Sequence, residues 1–186
     1  MRICAVILVL LTAGCTARQA PLPVLGQVPQ FQLTAQNGEE FDSSKILDGK
    51  VWVADFIFTN CSSACPRMST QMRQLQSRLA GKPEVKLVSF TVDPKRDTPE
   101  ALAAYARRFH AKPGQWYFLT GEQSRLHALA FDAFKLSSVD GSLNHSTRLV
   151  LLDGRSRIRG YYDTEQDDGA ATRLAAHIER LLREKS

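Results

Sequence analysis

The apolar positions of the chain fall into short runs whose period changes from one run to the next. Residues 51–58, VWVADFIF, are almost all apolar and rich in β-branched and aromatic side chains, the mark of a strand covered on both faces. Residues 85–92, VKLVSFTV, repeat that character, and residues 116–119 give a third, shorter strand. Between the first two strands, Met68, Met72, Leu75 and Leu79 recur at helical spacing, with Pro66 tolerated in the first turn. After the second strand, Thr98-Pro99-Glu100 reads as a helix start capped by Thr98, and Leu102, Tyr105, Ala106 and Phe109 continue its stripe. Residues 126–134 predict a further helix. Residues 148–152 and 157–162, joined by an Asp153-Gly154 turn, predict a hairpin. Residues 170–183 predict a last helix with Leu174, Ile178, Leu181 and Leu182 turned inward. Ahead of all these, residues 28–34 alternate weakly as a strand would. Gln36-Asn37-Gly38 then reads as a tight hairpin turn, because Asn-Gly tolerates positive φ.

Strand and helix alternate through most of the chain, with paired strands near its end. This order predicts an α/β protein with a mixed sheet. It resembles the thioredoxin-like fold, with an N-terminal β-hairpin extension and a C-terminal hairpin plus helix. A length of 186 residues suits one domain with a short appendage. At 44% hydrophobic and 23% charged residues, a disordered or collagen-like chain is excluded. A domain of this size buries about 70% of its unfolded surface, so no disulfide scaffold is required. The net charge of +5 is scattered along the sequence, which argues against nucleic acid as a partner.

The first residues change the picture. Arg2 precedes an apolar run, residues 3–11, too short for the roughly 20 helical residues that span a bilayer. Charged start, apolar middle and small-residue exit are the features of a secretory signal. The exit, Thr12-Ala13-Gly14-Cys15, resembles a bacterial lipobox, with Thr12 where Leu is commonest. The expected organisation is a signal peptide over residues 1–14, an acylated Cys15 opening a tether over residues 15–27, and a domain over residues 28–186. Acyl chains on Cys15 would anchor the exported protein to a membrane. An ordinary signal cut nearby, or a buried N-terminal strand, is the alternative.

With Cys4 removed and Cys15 acylated, Cys61 and Cys65 remain as thiols. They lie in Phe58-Thr59-Asn60-Cys61-Ser62-Ser63-Ala64-Cys65-Pro66, where the central strand gives way to its helix. Residues i and i+4 of a helical turn share a face, so both sulfurs are expected to converge on one metal ion or to approach disulfide distance. A helix N-terminus is expected to lower the thiol pKa and favour thiolates. A structural disulfide or two small core residues is the plain alternative.

Two thiolates under-coordinate a metal ion. Of the histidines, His110 reads as surface, and His127 and His177 fall within predicted helices. His145 stands in Asn144-His145-Ser146-Thr147, just before the strand that starts at Arg148. In a thioredoxin-like topology that loop lies beside the cysteine-bearing helix start, which makes His145 the candidate third ligand. An uninvolved loop histidine is the other reading.

Over residues 28–183 the chain resembles the Sco/SenC family of copper-binding assembly factors for cytochrome c oxidase. The segments that carry the resemblance are Phe58-Thr59-x-Cys61-x3-Cys65-Pro66, Thr91-Val92-Asp93-Pro94-x-Arg96-Asp97-Thr98-Pro99 and Asn144-His145-Ser146. The Asp153-Gly154 turn and Tyr161-Tyr162 follow. Ser62 replaces a proline found in many members, and Asn144 stands where many have Asp. The resemblance implies a copper site of Cys61, Cys65 and His145, with Asp93 as a supporting residue behind the ligands. Thiolates select Cu(I), and an added imidazole suits Cu(II) as well.

The implied function is a copper chaperone that delivers one ion to the dinuclear copper site of cytochrome c oxidase. Its implied partners are the oxidase subunit holding that site, a periplasmic thiol reductant or copper donor, and the membrane. The competing reading is an enzyme, a thiol–disulfide oxidoreductase acting on the cysteines of the oxidase copper site or of other exported proteins. Cys-x3-Cys spacing and the absence of any proline after Pro113 favour the chaperone, since thioredoxin-like enzymes have Cys-x2-Cys and a docking proline. The expected location is the periplasmic face of a membrane, or the outside of a single-membrane bacterium.

Overall fold

The computed structural model describes residues 20–62, 64–136, 146–163, 165–167 and 169–184. One eight-stranded sheet runs β1-β8-β7-β4-β5-β6-β2-β3. Its centre is β4 (Val51–Ile57), β5 (Val85–Thr91) and β6 (Trp116–Thr120), which run parallel. All seven residues of β4 are buried, as the continuous apolar run requires. β7 (Arg148–Leu152) joins β4 antiparallel, and β8 (Arg157–Asp163) pairs with β7 through an irregularity at Leu151/Leu152. The sheet is therefore mixed, and the fold is α/β and thioredoxin-like.

The N-terminal region covers both edges of the sheet. The strand expected at residues 28–34 is divided: β1 (Gly26–Gln27) pairs with β8, while β2 (Gln32–Ala35) pairs with β6. Pro29 and Gln30 carry the chain between the two edges. β2 and β3 (Glu40–Asp42) form the expected hairpin, and Gly38 takes the left-handed φ of 81° that its turn requires. Part of the stretch read from composition as a tether packs on the fold. Leu22 is buried, and the Arg159 guanidinium binds the carbonyls of Leu22 at 2.7 Å and Pro23 at 3.1 Å.

Helices cover the two faces. On one lie α2 (Ala64–Arg78), α3 (Pro99–Arg108) and α5 (Ala170–Glu184), which bury Met68, Met72, Leu102, Tyr105, Leu174 and Ile178 against the sheet. Thr98 caps α3 by accepting from the Ala101 N–H, and Pro99 opens the helix. The short α1 (Ser43–Ile46) and α4 (Gln123–His127) complete the helices. The helix expected over residues 126–134 is instead α4 followed by a π-helical segment, Ala128–Ala133. There the Phe134 N–H reaches back to the Leu129 carbonyl. That wider turn seats Phe134 among Trp52, Phe56 and Phe90, with ring centroids 5.3 to 6.0 Å apart.

Candidate metal centre

β4 ends at Ile57, and the chain turns through Thr59 and Asn60 to Cys61. The Cys61 N–H bonds the Phe58 carbonyl at 3.2 Å. Helix α2 begins only at Ala64, so the expectation of one helical turn carrying both cysteines is corrected. Cys61 sits in the loop, and Cys65 is the second residue of the helix. Both are thiols, Cys61 partly exposed and Cys65 buried. Their side chains still meet, with a hydrogen bond between them.

For Cys65 the expected lowering of the thiol pKa is also corrected. Burial pushes the Cys65 thiol up, and the Cys61 side chain and the charge of Asp55 act the same way. A backbone hydrogen bond at Phe58 opposes them without prevailing. Cys65 has no exposed surface and belongs to the core beneath α2, so desolvation outweighs the helix N-terminus. A soft metal that replaces the proton at this sulfur removes the cost of a bare thiolate.

Two carboxylates that sequence reasoning passed over shape this corner. Asp55 is fully buried on β4 at a position that alternates with Val53 and Ile57, on the face that holds Cys65 and Tyr105. Its charge acts on both of those groups. Its signal was in view, a lone acid inside VWVADFIF. Asp97 is 1% exposed and accepts from the Thr59 N–H at 3.1 Å, the Thr59 hydroxyl at 2.6 Å and the Thr91 hydroxyl at 2.5 Å. It ties the start of the cysteine loop to the end of β5.

Asp93, the expected supporting residue, builds the turn that presents Asp97. Its carbonyl accepts from the Arg96 and Asp97 N–H groups, and its carboxylate meets Arg96 at 3.1 Å.

His145 and Cys15 lie outside the described residues. The segment that carries His145 leaves the described structure after Leu136 and returns at Ser146. The antiparallel register from Trp52↔Leu152 to Ala54↔Val150 carries Ser146 and Thr147 to the level where β4 ends and the cysteine loop starts. On the other side of the segment, the Tyr161 hydroxyl binds the Phe134 carbonyl at 3.0 Å. Among the described residues no cluster of three metal-ligating side chains is present. The remaining histidines stand apart from the thiols in the sequence and in their contacts. His110 is exposed, His127 stacks on Phe131, and the Nδ1 of His177 meets the Tyr162 hydroxyl at 2.7 Å.

Comparison with known proteins agrees with this architecture. The family model SCO1/SenC matches residues 24–183. A SCO1 protein homolog of Bacillus subtilis (strain 168) is 38% identical over 128 residues, 68% of this chain and 66% of that protein. A putative copper-binding protein of Stutzerimonas stutzeri is 32% identical over 148 residues, 75% of this chain and 71% of that protein. The chain thus spans about two thirds of the length of these curated relatives. The crystal structure of a SCO1/SenC family lipoprotein from Bacillus anthracis str. Ames superposes with a TM-score of 0.77 at 31% identity, covering 86% of this chain and 97% of that one. A family match spanning nearly the whole described domain, with the Cys-x3-Cys loop at the same strand-to-helix junction that the sequence pattern picked out, leaves one conclusion: the chain belongs to the SCO1/SenC family.

Proposed function

We propose that this protein binds one copper ion through Cys61, Cys65 and His145 and delivers it to the dinuclear copper site of cytochrome c oxidase. The observation that carries the reading is the thiol pair, one sulfur partly exposed and its partner buried, side by side at the carboxyl end of the central strand β4. Soft thiolates suit copper, and an imidazole added by His145, three residues before β7 in the sequence, suits both Cu(I) and Cu(II). The copper-binding relative in Stutzerimonas stutzeri supports the metal. The oxidase as recipient is what membership of the family implies. A partly exposed site lets a partner's ligands replace these one at a time, with Cys61 the accessible first point of exchange.

Redox state sets whether the site can load. Oxidation of the two thiols to a disulfide releases two protons and two electrons to an oxidant and removes both sulfur donors. Reduction by a periplasmic thiol restores them. A thiol–disulfide oxidoreductase would use the same pair, with Cys61 attacking and Cys65 resolving. The raised Cys65 thiol and the x3 spacing favour metal carriage.

Changing His145 to Ala tests the ligand set. The expected result is weak Cu(I) binding by the two thiols and a strongly altered Cu(II) absorption spectrum. An unchanged Cu(II) spectrum overturns it. Reduction of generic disulfides at thioredoxin-like rates overturns the chaperone reading in favour of the enzyme.

The exported protein is held at the membrane by acylated Cys15 and faces the periplasm, or the outside in a single-membrane bacterium. The lipobox-like exit at Ala13-Gly14-Cys15 and the Bacillus anthracis family lipoprotein support this. Mass spectrometry of the mature N-terminus decides it: a chain beginning anywhere but an acylated Cys15 contradicts the anchor.

A further inference from the structure

We propose that the end of the fold opposite the cysteines is a contact surface for an anionic lipid bilayer, holding the domain with Cys61 and Cys65 turned away from the membrane. This rests on the reading that the chain is anchored ahead of Ala20.

The two ends differ in charge. The parallel strands β4, β5 and β6 begin at the end away from the cysteines, and α2, α3 and α5, which pack along them, finish there. The last turns of these helices bring Arg78, Arg107, Arg108 and Arg183 to that end. The turns leading into β6 and β8 add the exposed Lys112 and Arg155. Among the described residues, Arg78, Arg107, Lys112 and Arg155 form no ion pair. Of the acids at the same end, Asp48 and Glu84 form no ion pair among the described residues and are outnumbered by these cations, while the others are engaged. Asp153 holds Arg157 and Arg159, Glu179 holds Lys82, and Glu184 meets Arg159 and Arg180. At the cysteine end the arginines are matched instead: Arg67 by Glu165, Arg96 by Asp93, Arg148 by Asp163 and Arg173 by Asp167. Surplus positive charge therefore gathers on one end only.

The N-terminal chain joins the fold at this same end. Leu22 and Pro23 are fastened by Arg159, whose guanidinium also reaches Glu184 in the last turn of α5. Beside that junction Val24 and Leu25 stand 54% and 51% exposed. Apolar side chains flanked by basic ones suit the boundary between headgroups and acyl chains. An anchor that leads into the basic end, with exposed apolar side chains at the junction, matches a bilayer carrying negative headgroups. Each basic residue near such a surface strengthens partition about fivefold.

The described residues from Ala20 onward hold every strand and both halves of the core, so a chain starting at Ala20 keeps the fold without leader or anchor. That chain is sedimented with vesicles of phosphatidylcholine alone, and with vesicles in which phosphatidylglycerol makes up a third of the lipid. Binding to the anionic vesicles only, lost at high salt, is expected. The double substitution Arg107→Glu and Lys112→Glu is expected to weaken it at least twentyfold, and Arg78→Glu with Arg155→Glu to do the same. Lys95→Glu, at the cysteine end, is expected to leave it unchanged. Equal binding to neutral vesicles, no binding to anionic ones, or binding that survives both double substitutions overturns the proposal. Cys15 is absent from this chain, so the result is independent of acylation. The anchor is read separately, by whether Cys15→Ala releases the full-length protein from membranes.

Discussion

Asp97 and Thr59 are joined by a buried carboxylate that accepts both the Thr59 N–H, at 3.1 Å, and the Thr59 hydroxyl, at 2.6 Å. Thr59 lies two residues before Cys61, so this bond fixes where the exposed thiol stands. The turn after β5 thereby sets the geometry of a loop that follows β4.

Replacing Asp97 by Ala strips three donors of their acceptor and is expected to cost about 3 kcal/mol of stability in urea denaturation. Asp97→Asn keeps the shape and is expected to cost less stability while weakening copper binding roughly tenfold or more, as loss of a supporting group behind a ligand does. Copper affinity that falls only in step with stability would reduce Asp97 to a structural role.

The two thiols are expected to react unequally. Cys61 is partly exposed, whereas Cys65 is buried and its thiol is pushed up by that burial. Each unit of upward shift removes about tenfold of the thiolate at neutral pH. Brief iodoacetamide treatment of the reduced protein, followed by peptide mass spectrometry, is expected to find label on Cys61 well before Cys65. Label on Cys65 first would contradict the geometry.

His177 supplies a pH dependence remote from the thiols. Burial lowers its pKa, and Arg180 and Arg173 lower it further, so the fold favours the neutral ring bound to Tyr162. The Tyr162 hydroxyl is itself pushed up to about 12 by burial, so it stays protonated across this range. The unfolded chain accepts a proton near the ordinary histidine value, about 6.5, more readily than the fold does. The contribution of His177 is therefore present above that value and lost as pH falls through the lowered one. Melting temperature is expected to drop on acidification, and His177→Gln to flatten the drop. An unchanged slope would remove His177 from the account.

Arg159 is 5% exposed and binds Asp153 at 2.7 Å as well as the carbonyls of Leu22 and Pro23. Arg159→Ala leaves Asp153 with Arg157 alone and is expected to cost about 3 kcal/mol. It is also expected to release the N-terminal segment to limited proteolysis near Leu22. Protection that persists there would show that Leu22 packing alone holds the segment.

The central strands, the α2 and α3 stripes, the Thr98 cap and the terminal hairpin were all legible, because each depends on local period or a local capping side chain. The division of residues 28–34 between two sheet edges was not, since it depends on pairing with β8 and β6 far along the chain. The π-helical turn before Phe134 was hidden for the same kind of reason. A helical stripe does not reveal the wider turn that seats Phe134 against Trp52 and Phe56. At the site, the Cys-x3-Cys spacing points to the right junction, but it does not carry the environment of the Cys65 thiol. Helix-terminus reasoning is local, whereas the burial of Cys65 comes from packing of the whole α2 face. Asp97 was passed over in favour of Asp93 because the Asp-Pro pair is the more conspicuous motif. Only the fold shows which of the two carboxylates reaches Thr59.

The most direct test of the proposed function is copper titration of the protein in its reduced and disulfide forms, with metal content and absorption spectra recorded. One tightly held copper per reduced chain, weakening as pH falls, with little held by the oxidised chain, is the expected result. Equal copper binding by the oxidised and reduced forms would contradict a site built on Cys61 and Cys65.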